Sequence, residues 1–192
     1  MILALTLLVA VAAPPAWEEV GKGEHCVVYN RAKPGSDVKE VLAVGTFDAT
    51  LEKVHAILDD LAAYHEFMPY AKETRILKRE GDVVWTYERV NAPLVSERDY
   101  TIKVTHEITG EKVKHIFRID NAAGPKPIDG VVRVELIDGY WLLERDGKRT
   151  KGTYYILSSP GGSLPTFVVN GANNTAVPGL YEAIKKRLKS RP

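Results

Sequence analysis

Two histidines and one pair of adjacent charged residues are the side chains of this sequence whose types and spacing could do chemistry. His106 and His115 flank Gly110-Glu111, and a two-residue turn there would place them opposite each other on a β-hairpin. Facing imidazoles could supply two metal ligands. The sequence has a single cysteine, Cys26, and we find no HxxxE-type pattern beside these histidines. We therefore predict no metal site and no other cofactor.

The second candidate, Arg98-Asp99, is a neighbouring base and acid that could take part in acid–base chemistry. The pair stands where a loop enters a predicted strand, and there an ion pair that holds the loop is the more common role. The sequence contains neither a GxSxG nucleophile motif nor a phosphate-binding glycine loop. These observations indicate that the protein is not an enzyme.

Composition limits the class of protein further. The chain has 192 residues, of which 45% are hydrophobic and 27% charged, which is typical of one globular domain. Twenty-six Lys and Arg balance 25 Asp and Glu, so no strong field attracts nucleic acid, and we predict no nucleic-acid partner. The lone cysteine excludes an intramolecular disulfide. We expect a monomer.

The N-terminus differs in composition from the rest of the chain. Its first thirteen residues, MILALTLLVAVAA, carry no charged side chain, and this run is too short to span a bilayer. It resembles the apolar part of a secretory signal, with Ala10-Val11-Ala12 as small residues near a cleavage site. We expect residues 1–16 to be a signal peptide and leader and residues 17–192 to form one domain. The protein would then be exported, periplasmic or secreted, and would be cytoplasmic if this segment is not a signal.

The elements that position these residues follow from hydrophobic patterning. Residues 41–47 are predicted to form a strand, and Asp48 is predicted to cap a helix that carries Leu51, Val54, His55 and Leu58. A second short helical segment covers residues 61–67. Turn signals at Gly81-Asp82, Gly110-Glu111 and Asp146-Gly147 then predict an antiparallel meander.

These turns predict particular cross-strand neighbours if each loop has two residues. The predicted pairs are Arg75 with Glu88, Val104 with Phe117, His106 with His115, and Trp141 with Gly152. Alternation places Tyr100, Ile102, Val104 and His106 on one face of a strand. That face needs an apolar cover.

The last segment of the chain is the predicted cover. Ser163 can cap a helix over residues 164–189. One stripe of this helix is predicted to contain Phe167, Asn170, Asn174, Val177, Tyr181, Ile184 and Leu188. Asn170 and Asn174 could orient the polar end of a ligand, or could pair with the backbone or with each other. A long helix held by a curved sheet leaves room for a tunnel.

The order of these elements resembles a known family when three segments are added to it. APLVSERDYTI, DGYWLL and GTYYILSSPGGSLPTFVVN occur at the expected places, and residues 17–190 resemble the steroidogenic-acute-regulatory-related lipid-transfer (START) domains. The resemblance implies an α+β helix-grip fold, in which a curved antiparallel sheet surrounds a long C-terminal helix and two short helices follow an early strand. It also implies that the domain encloses one hydrophobic molecule and carries it, with transient contact to a membrane surface.

We therefore predict a set of lipid-binding residues that share one interior face. They are Trp85, Tyr100, Ile102, Val104, His115, Phe117, Tyr154, Phe167, Asn170 and Asn174. Trp85 is included on the family match alone, because its own strand alternates ambiguously. The histidines are predicted to be polar groups inside this cavity or near its rim. The alternative function is a helix-grip enzyme of the aromatase/cyclase or hydrolase-like kind.

The sequence departs from the family at one interior position. Sterol-carrying members often place an arginine six residues after the Arg-Asp arginine, with an acidic partner on the preceding strand. Here Val104 and Trp85 take these places. We therefore predict a more apolar tunnel floor without that ion pair. A sterol, phospholipid, fatty acid or carotenoid all remain as possible ligands.

Overall fold

The protein folds around one large antiparallel sheet. The computed structural model describes residues 16–93, 95–162, 164 and 166–191, and gives the backbone alone for 166–175. Within these residues the strands are β1 (Glu18–Lys22), β2 (Cys26–Arg31), β3 (Glu40–Phe47), β4 (Ala71–Glu80), β5 (Val83–Val90), β6 (Arg98–Thr109), β7 (Lys112–Ile119), β8 (Val132–Arg133), β9 (Leu136–Asp146) and β10 (Arg149–Ser159). The helices are α1 (Leu51–Asp59), α2 (Tyr64–Phe67) and α3 (Thr166–Ser190), with single 3-10 turns at Leu61–Ala63 and Asn121–Ala123.

The strand order explains how the chain makes an interior. Strands run in the order β1-β2-β3-β10-β9-β7-β6-β5-β4, and the short β8 pairs in parallel with β6. The central hairpins bring β5, β6, β7 and β9 side by side, so their inward residues share one surface. Among the described residues, no helix is long and apolar enough to cross a membrane. The predicted meander and C-terminal helix are confirmed.

Two of the four predicted cross-strand pairs are confirmed, namely Val104 with Phe117 and His106 with His115. The other two are wrong for different reasons. A bulge at Leu77 shifts β4 by one residue, so Thr74 rather than Arg75 lies opposite Glu88.

In the last hairpin the turn begins one residue later than predicted. Gly147 and Lys148 form the loop, with Gly147 at a φ of 62°, a conformation that favours glycine. Trp141 therefore pairs with Tyr154 rather than Gly152. At Gly152 an added Cβ would lie 2.6 Å from the ring of Phe47, so this ring, at the end of β3, fills the space above the glycine.

The helices lie close to their predicted places, with small differences at their ends. Thr50, not Asp48, precedes the first turn of α1. The C-terminal half of α3 packs Val177, Tyr181 and Ile184 into the core against β2, β3 and α1. The Tyr181 hydroxyl contacts the carbonyl oxygens of Ala43 and Gly152, at 3.0 and 2.9 Å. This side chain therefore ties α3 to two neighbouring strands.

Arg98 and Asp99 do not pair with each other. The fully buried Asp99 accepts two hydrogen bonds from Arg133, at 2.7 and 2.9 Å, and one from the Tyr87 hydroxyl at 3.0 Å. Arg98 instead donates to the carbonyl oxygens of Ser96 and Pro160. Asp99 therefore holds the segment of Arg133, and Arg98 holds the segments of Ser96 and Pro160. The predicted ion pair between the two residues is wrong, but both have the structural role that was predicted. Residues 1–15 of the predicted leader, and the predicted cap Ser163, lie outside the described residues.

Candidate functional site

An apolar cavity of about 160 Å³ lies between the sheet, the short helices and the C-terminal half of α3. Its wall is formed by Leu58, Leu61, Tyr64, Met68, Pro69, Ala71, Glu88, Val90, Tyr100, Ile102, Val104, His115, Phe117, Ile137, Trp141, Tyr154, Ile156 and Leu180. Apolar walls with a few polar groups are typical of sites for hydrophobic ligands.

Six predicted site residues line this cavity. Three lie on β6, two on β7 and one on β10, and they are Tyr100, Ile102, Val104, His115, Phe117 and Tyr154. Strand alternation and the pairing of Val104 with Phe117 bring them to one face. Phe167, Asn170 and Asn174 lie on α3, but their side chains are outside the described part of the structure. Contact of these residues with a lipid stays a prediction.

The predicted position of Trp85 in the cavity is wrong. Trp85 pairs with Lys103 on the opposite face of the sheet, where its indole N–H donates to Oδ2 of Asp120 at 2.7 Å. The ammonium groups of Lys78 and Lys103 lie 4.9 and 5.3 Å from the centre of its ring. These contacts bury the ring on the face of the sheet that points away from the cavity. Trp85 is therefore buried without lining the cavity.

Among the wall residues that sequence reasoning missed, Glu88 is the one with a carboxyl group. It pairs with Tyr100 across β5 and β6, and it is 7% exposed. The Tyr100 hydroxyl donates to Oε2 of Glu88 at 2.9 Å, while Oε1 has no hydrogen-bond partner among the described residues. Burial raises the pKa of this carboxyl to about 7, although the bond from Tyr100 opposes the shift.

The polar atoms of the neighbouring tyrosines show how one end of the cavity is arranged. Tyr64 donates its hydroxyl proton to the carbonyl oxygen of Leu58 at 2.7 Å. The Tyr154 ring stacks at 6.0 Å on Phe117 and lies 4.8 Å from Trp141. Burial raises the pKa of Tyr64, Tyr100 and Tyr154, so all three stay neutral near pH 7. The aromatic rings and Glu88 thus form a polar end inside an apolar wall.

The sequence predicted a more apolar tunnel floor, and the structure agrees with this at Val104 but not at Glu88. Val104 and Val84 face each other, so no ion pair occupies that place in the described structure. Glu88, four residues along β5 from Val84, nevertheless brings a carboxyl into the wall. Among the described lining residues it is the single carboxylic acid.

Behind one wall of the cavity lies a cluster of three imidazoles and a carboxylate. His106 and His115 are adjacent on the hairpin with ring centres 4.6 Å apart, and Nδ1 of His55 lies 3.0 Å from Nε2 of His115. Oδ1 of Asp59 lies 3.2 Å from Nε2 of His106. The HxxxD spacing of His55 and Asp59 on α1 is the sequence signal that would have brought the helix into this cluster.

Known proteins that resemble this chain have the fold predicted from its sequence. The family model that matches it is broader than the START domains. Residues 47–185 match the family described as polyketide cyclase/dehydrase and lipid transport. An uncharacterized protein of Pseudomonas aeruginosa is 31% identical, over 97% of this chain and 98% of its own. The bovine phosphatidylcholine transfer protein is 27% identical, over 89% of this chain and 83% of its own.

Among solved structures, a STAR-related lipid transfer protein fragment from Xanthomonas axonopodis superposes with a TM-score of 0.83. It is 26% identical, and the match covers 90% of this chain and 98% of that one. The match confirms the predicted START-type architecture. The chain belongs to the polyketide cyclase/dehydrase and lipid transport family, in which it has the helix-grip fold of the START domains.

Proposed function

We propose that this protein binds one hydrophobic molecule in the cavity and transfers it between membranes. The observation that carries the proposal is the pairing of an apolar wall with one buried carboxyl, Glu88, whose Oε1 lacks a partner within the described residues. A buried oxygen without a partner costs free energy that a ligand group can recover. The function is that of lipid carriers in the same family.

The chemistry of this polar end narrows the ligand. An ionised Glu88 accepts a hydrogen bond from a hydroxyl or amine, or it attracts a quaternary ammonium that the nearby aromatic rings also favour. A phospholipid with a choline head group satisfies the second description, and the bovine relative is a phosphatidylcholine transfer protein. Phosphatidylcholine is therefore the first ligand to test, with a sterol as the comparison that carries a hydroxyl.

The test is transfer of fluorescent phosphatidylcholine or sterol from donor to acceptor vesicles. Val104→Trp fills the cavity wall with a larger side chain, whereas Ile108→Trp places the same residue on the same strand where it is 65% exposed. We expect transfer to fall at least tenfold in Val104→Trp and to stay at the wild-type rate in Ile108→Trp, as about 1.4 kcal/mol of lost affinity would produce.

Overpacking a core position could also impair folding, so Leu180→Trp on α3 serves as a second cavity variant and circular dichroism checks both. Equal transfer by folded cavity variants and the wild type would contradict a carrier that uses this cavity. Mass spectrometry of lipids retained on the purified protein identifies the ligand itself.

A second candidate function rests on the same carboxyl. A carboxylic acid with a pKa of about 7 beside a tyrosine hydroxyl is suited to general acid–base catalysis, and the family description includes polyketide cyclases. Conversion of a cyclisable polyketide by the wild type, abolished in Glu88→Gln, would favour this enzyme. Unchanged substrate alongside lipid transfer would favour the carrier.

We also propose export, monomeric action and brief contact with a membrane surface. The charge-free segment of residues 1–13 supports export, and protein from its native source should then begin near Ala13. An intact Met1 on cytosolic protein would contradict this. Light scattering during size-exclusion chromatography measures the oligomeric state, and vesicle flotation measures membrane contact.

A further inference from the structure

We propose, contrary to the expectation from the sequence alone, that Asp59, His106 and His115 bind a divalent transition-metal ion. The three residues come from three elements, since Asp59 ends α1, His106 lies on β6 and His115 lies opposite it on β7. One ligand atom from each lies within 4.8 Å of the others. Two imidazoles and one carboxylate are a ligand set that binds zinc and related ions and leaves further positions open.

The hydrogen bonds of His106 leave one ring nitrogen available. Nδ1 lies 3.2 Å from the backbone carbonyl oxygen of Asp82, and a nitrogen facing a carbonyl must carry the proton. Nε2 makes no hydrogen bond to any described residue. It lies 3.2 Å from Oδ1 of Asp59. A metal ion between these two atoms would bond to both of them.

His115 presents the same pattern on the neighbouring strand. It is 3% exposed, and Nε2 faces Nδ1 of His55 at 3.0 Å. Its other nitrogen, Nδ1, is buried and unpartnered in the described part of the chain. Each histidine therefore has one nitrogen engaged and one free, as in metal sites where the second nitrogen is held by an outer partner.

The spacing of these atoms suits a small ion. Ligand atoms around a tetrahedral centre with bonds of about 2.0–2.1 Å lie about 3.3 Å apart. The contact between His106 and Asp59 already has this length. The remaining separations, within 4.8 Å, close by small side-chain rotations. Because His115 also lines the cavity, the ion would lie next to the space that holds the hydrophobic ligand.

The test is Zn²⁺ titration of the full chain, prepared without a histidine tag and treated with a chelator. Calorimetry should show one Zn²⁺ per chain, and free Zn²⁺ at about 100 times Kd should raise Tm by roughly 5–10 °C. Co²⁺ should give the visible absorption of a protein-bound ion. His106→Gln and Asp59→Asn should each raise Kd at least about 100-fold, since even outer partners contribute 10–100-fold.

Two control variants separate this site from other histidines. His65→Gln alters an exposed histidine on α2, and His25→Gln alters a second cluster, that of Glu24, His25 and Glu182. Both should bind Zn²⁺ as the wild type does. The partly exposed Asp59 makes Asp59→Asn informative even if His106→Gln does not fold. Absence of a Tm shift, or loss of binding in His25→Gln instead, would overturn the proposal.

Discussion

Glu88 shows how one side chain can set the chemistry of an otherwise apolar space. Its carboxyl is held by the Tyr100 hydroxyl on one oxygen and by no described group on the other. Burial therefore dominates, and the pKa rises from 4.5 to about 7. Near neutral pH the residue can accept a hydrogen bond when ionised or donate one when protonated. The polar end of the cavity thus changes its character with pH.

The raised pKa of Glu88 predicts a measurable dependence of stability on pH. Between the unfolded and folded pKa values the folded state holds a proton that the unfolded state has released, so stability falls as pH rises from about 4.5 to about 7. Glu88→Gln removes this titration. Relative to the lipid-free wild type, the free energy of unfolding of the variant should increase by about 3 kcal/mol from pH 4 to pH 8.

Urea unfolding of both proteins across this pH range measures the difference, and all other titrating groups cancel. If the stability profiles of the variant and the wild type run parallel, Glu88 titrates at its ordinary pKa. That result would contradict the desolvation of its carboxyl that the structure indicates.

At the scale of elements, the sequence correctly predicted the strand pairings that are determined by a short turn and by the alternation of residues along a strand. The two-residue turn at Gly110-Glu111 correctly placed His106 opposite His115 and Val104 opposite Phe117. The longer connection from β5 to β6 was different, because the number of residues in its loop decides which face of β5 is inward. Val90 pairs with Arg98, which turns Glu88 inward and Trp85 outward. Nothing local to VVWTYERV distinguishes these two registers.

The attachment of α3 depends on a contact that hydrophobic spacing alone did not specify. Alternating steps of three and four residues predicted that Tyr181 is buried, but not that its hydroxyl would join β3 and β10. Its ring also stacks on Phe47 at 5.3 Å. The structure describes the contacts of this stripe only from Val177 onward, because the side chains of residues 166–175 lie outside the described structure. The hydroxyl of Tyr181 therefore links the described part of the helix directly to two strands of the sheet.

Tyr181→Phe is expected to destabilise the protein by about 1–3 kcal/mol. The ring and its stacking remain, but buried carbonyl oxygens of Ala43 and Gly152 lose a hydroxyl contact. Tyr70→Phe removes a hydroxyl from a side chain that is 50% exposed, and it should change stability by less than about 0.5 kcal/mol. Chemical unfolding measures both variants. Equal stability of the two would mean that the Tyr181 hydroxyl does not anchor the helix.

For the whole molecule, the size of the cavity and the size of a lipid determine what transfer requires. The cavity holds about 160 Å³, whereas sites that enclose a drug-sized ligand commonly hold about 300–1,000 Å³. A phospholipid is larger still, so its entry must separate some of the walls. Met68 and Pro69 after α2 line the cavity, as does Leu180 of α3, and Pro69 lies beside Gly179 of the same helix. We therefore expect this seam between α2 and α3 to open during loading.

Closing the seam with a reversible cross-link should slow exchange of the ligand. A Cβ added at Gly179 would lie 3.5 Å from Cγ of Pro69, so Pro69→Cys with Gly179→Cys brings two thiols together. If loading opens this seam, the oxidised double variant should retain bound lipid and transfer it at least tenfold more slowly between vesicles, and reduction should restore the rate. Gly179→Cys alone is the matched control and should respond to neither treatment. Equal transfer by oxidised and reduced forms, with the cross-link verified by thiol titration, would place the route of entry elsewhere in the molecule.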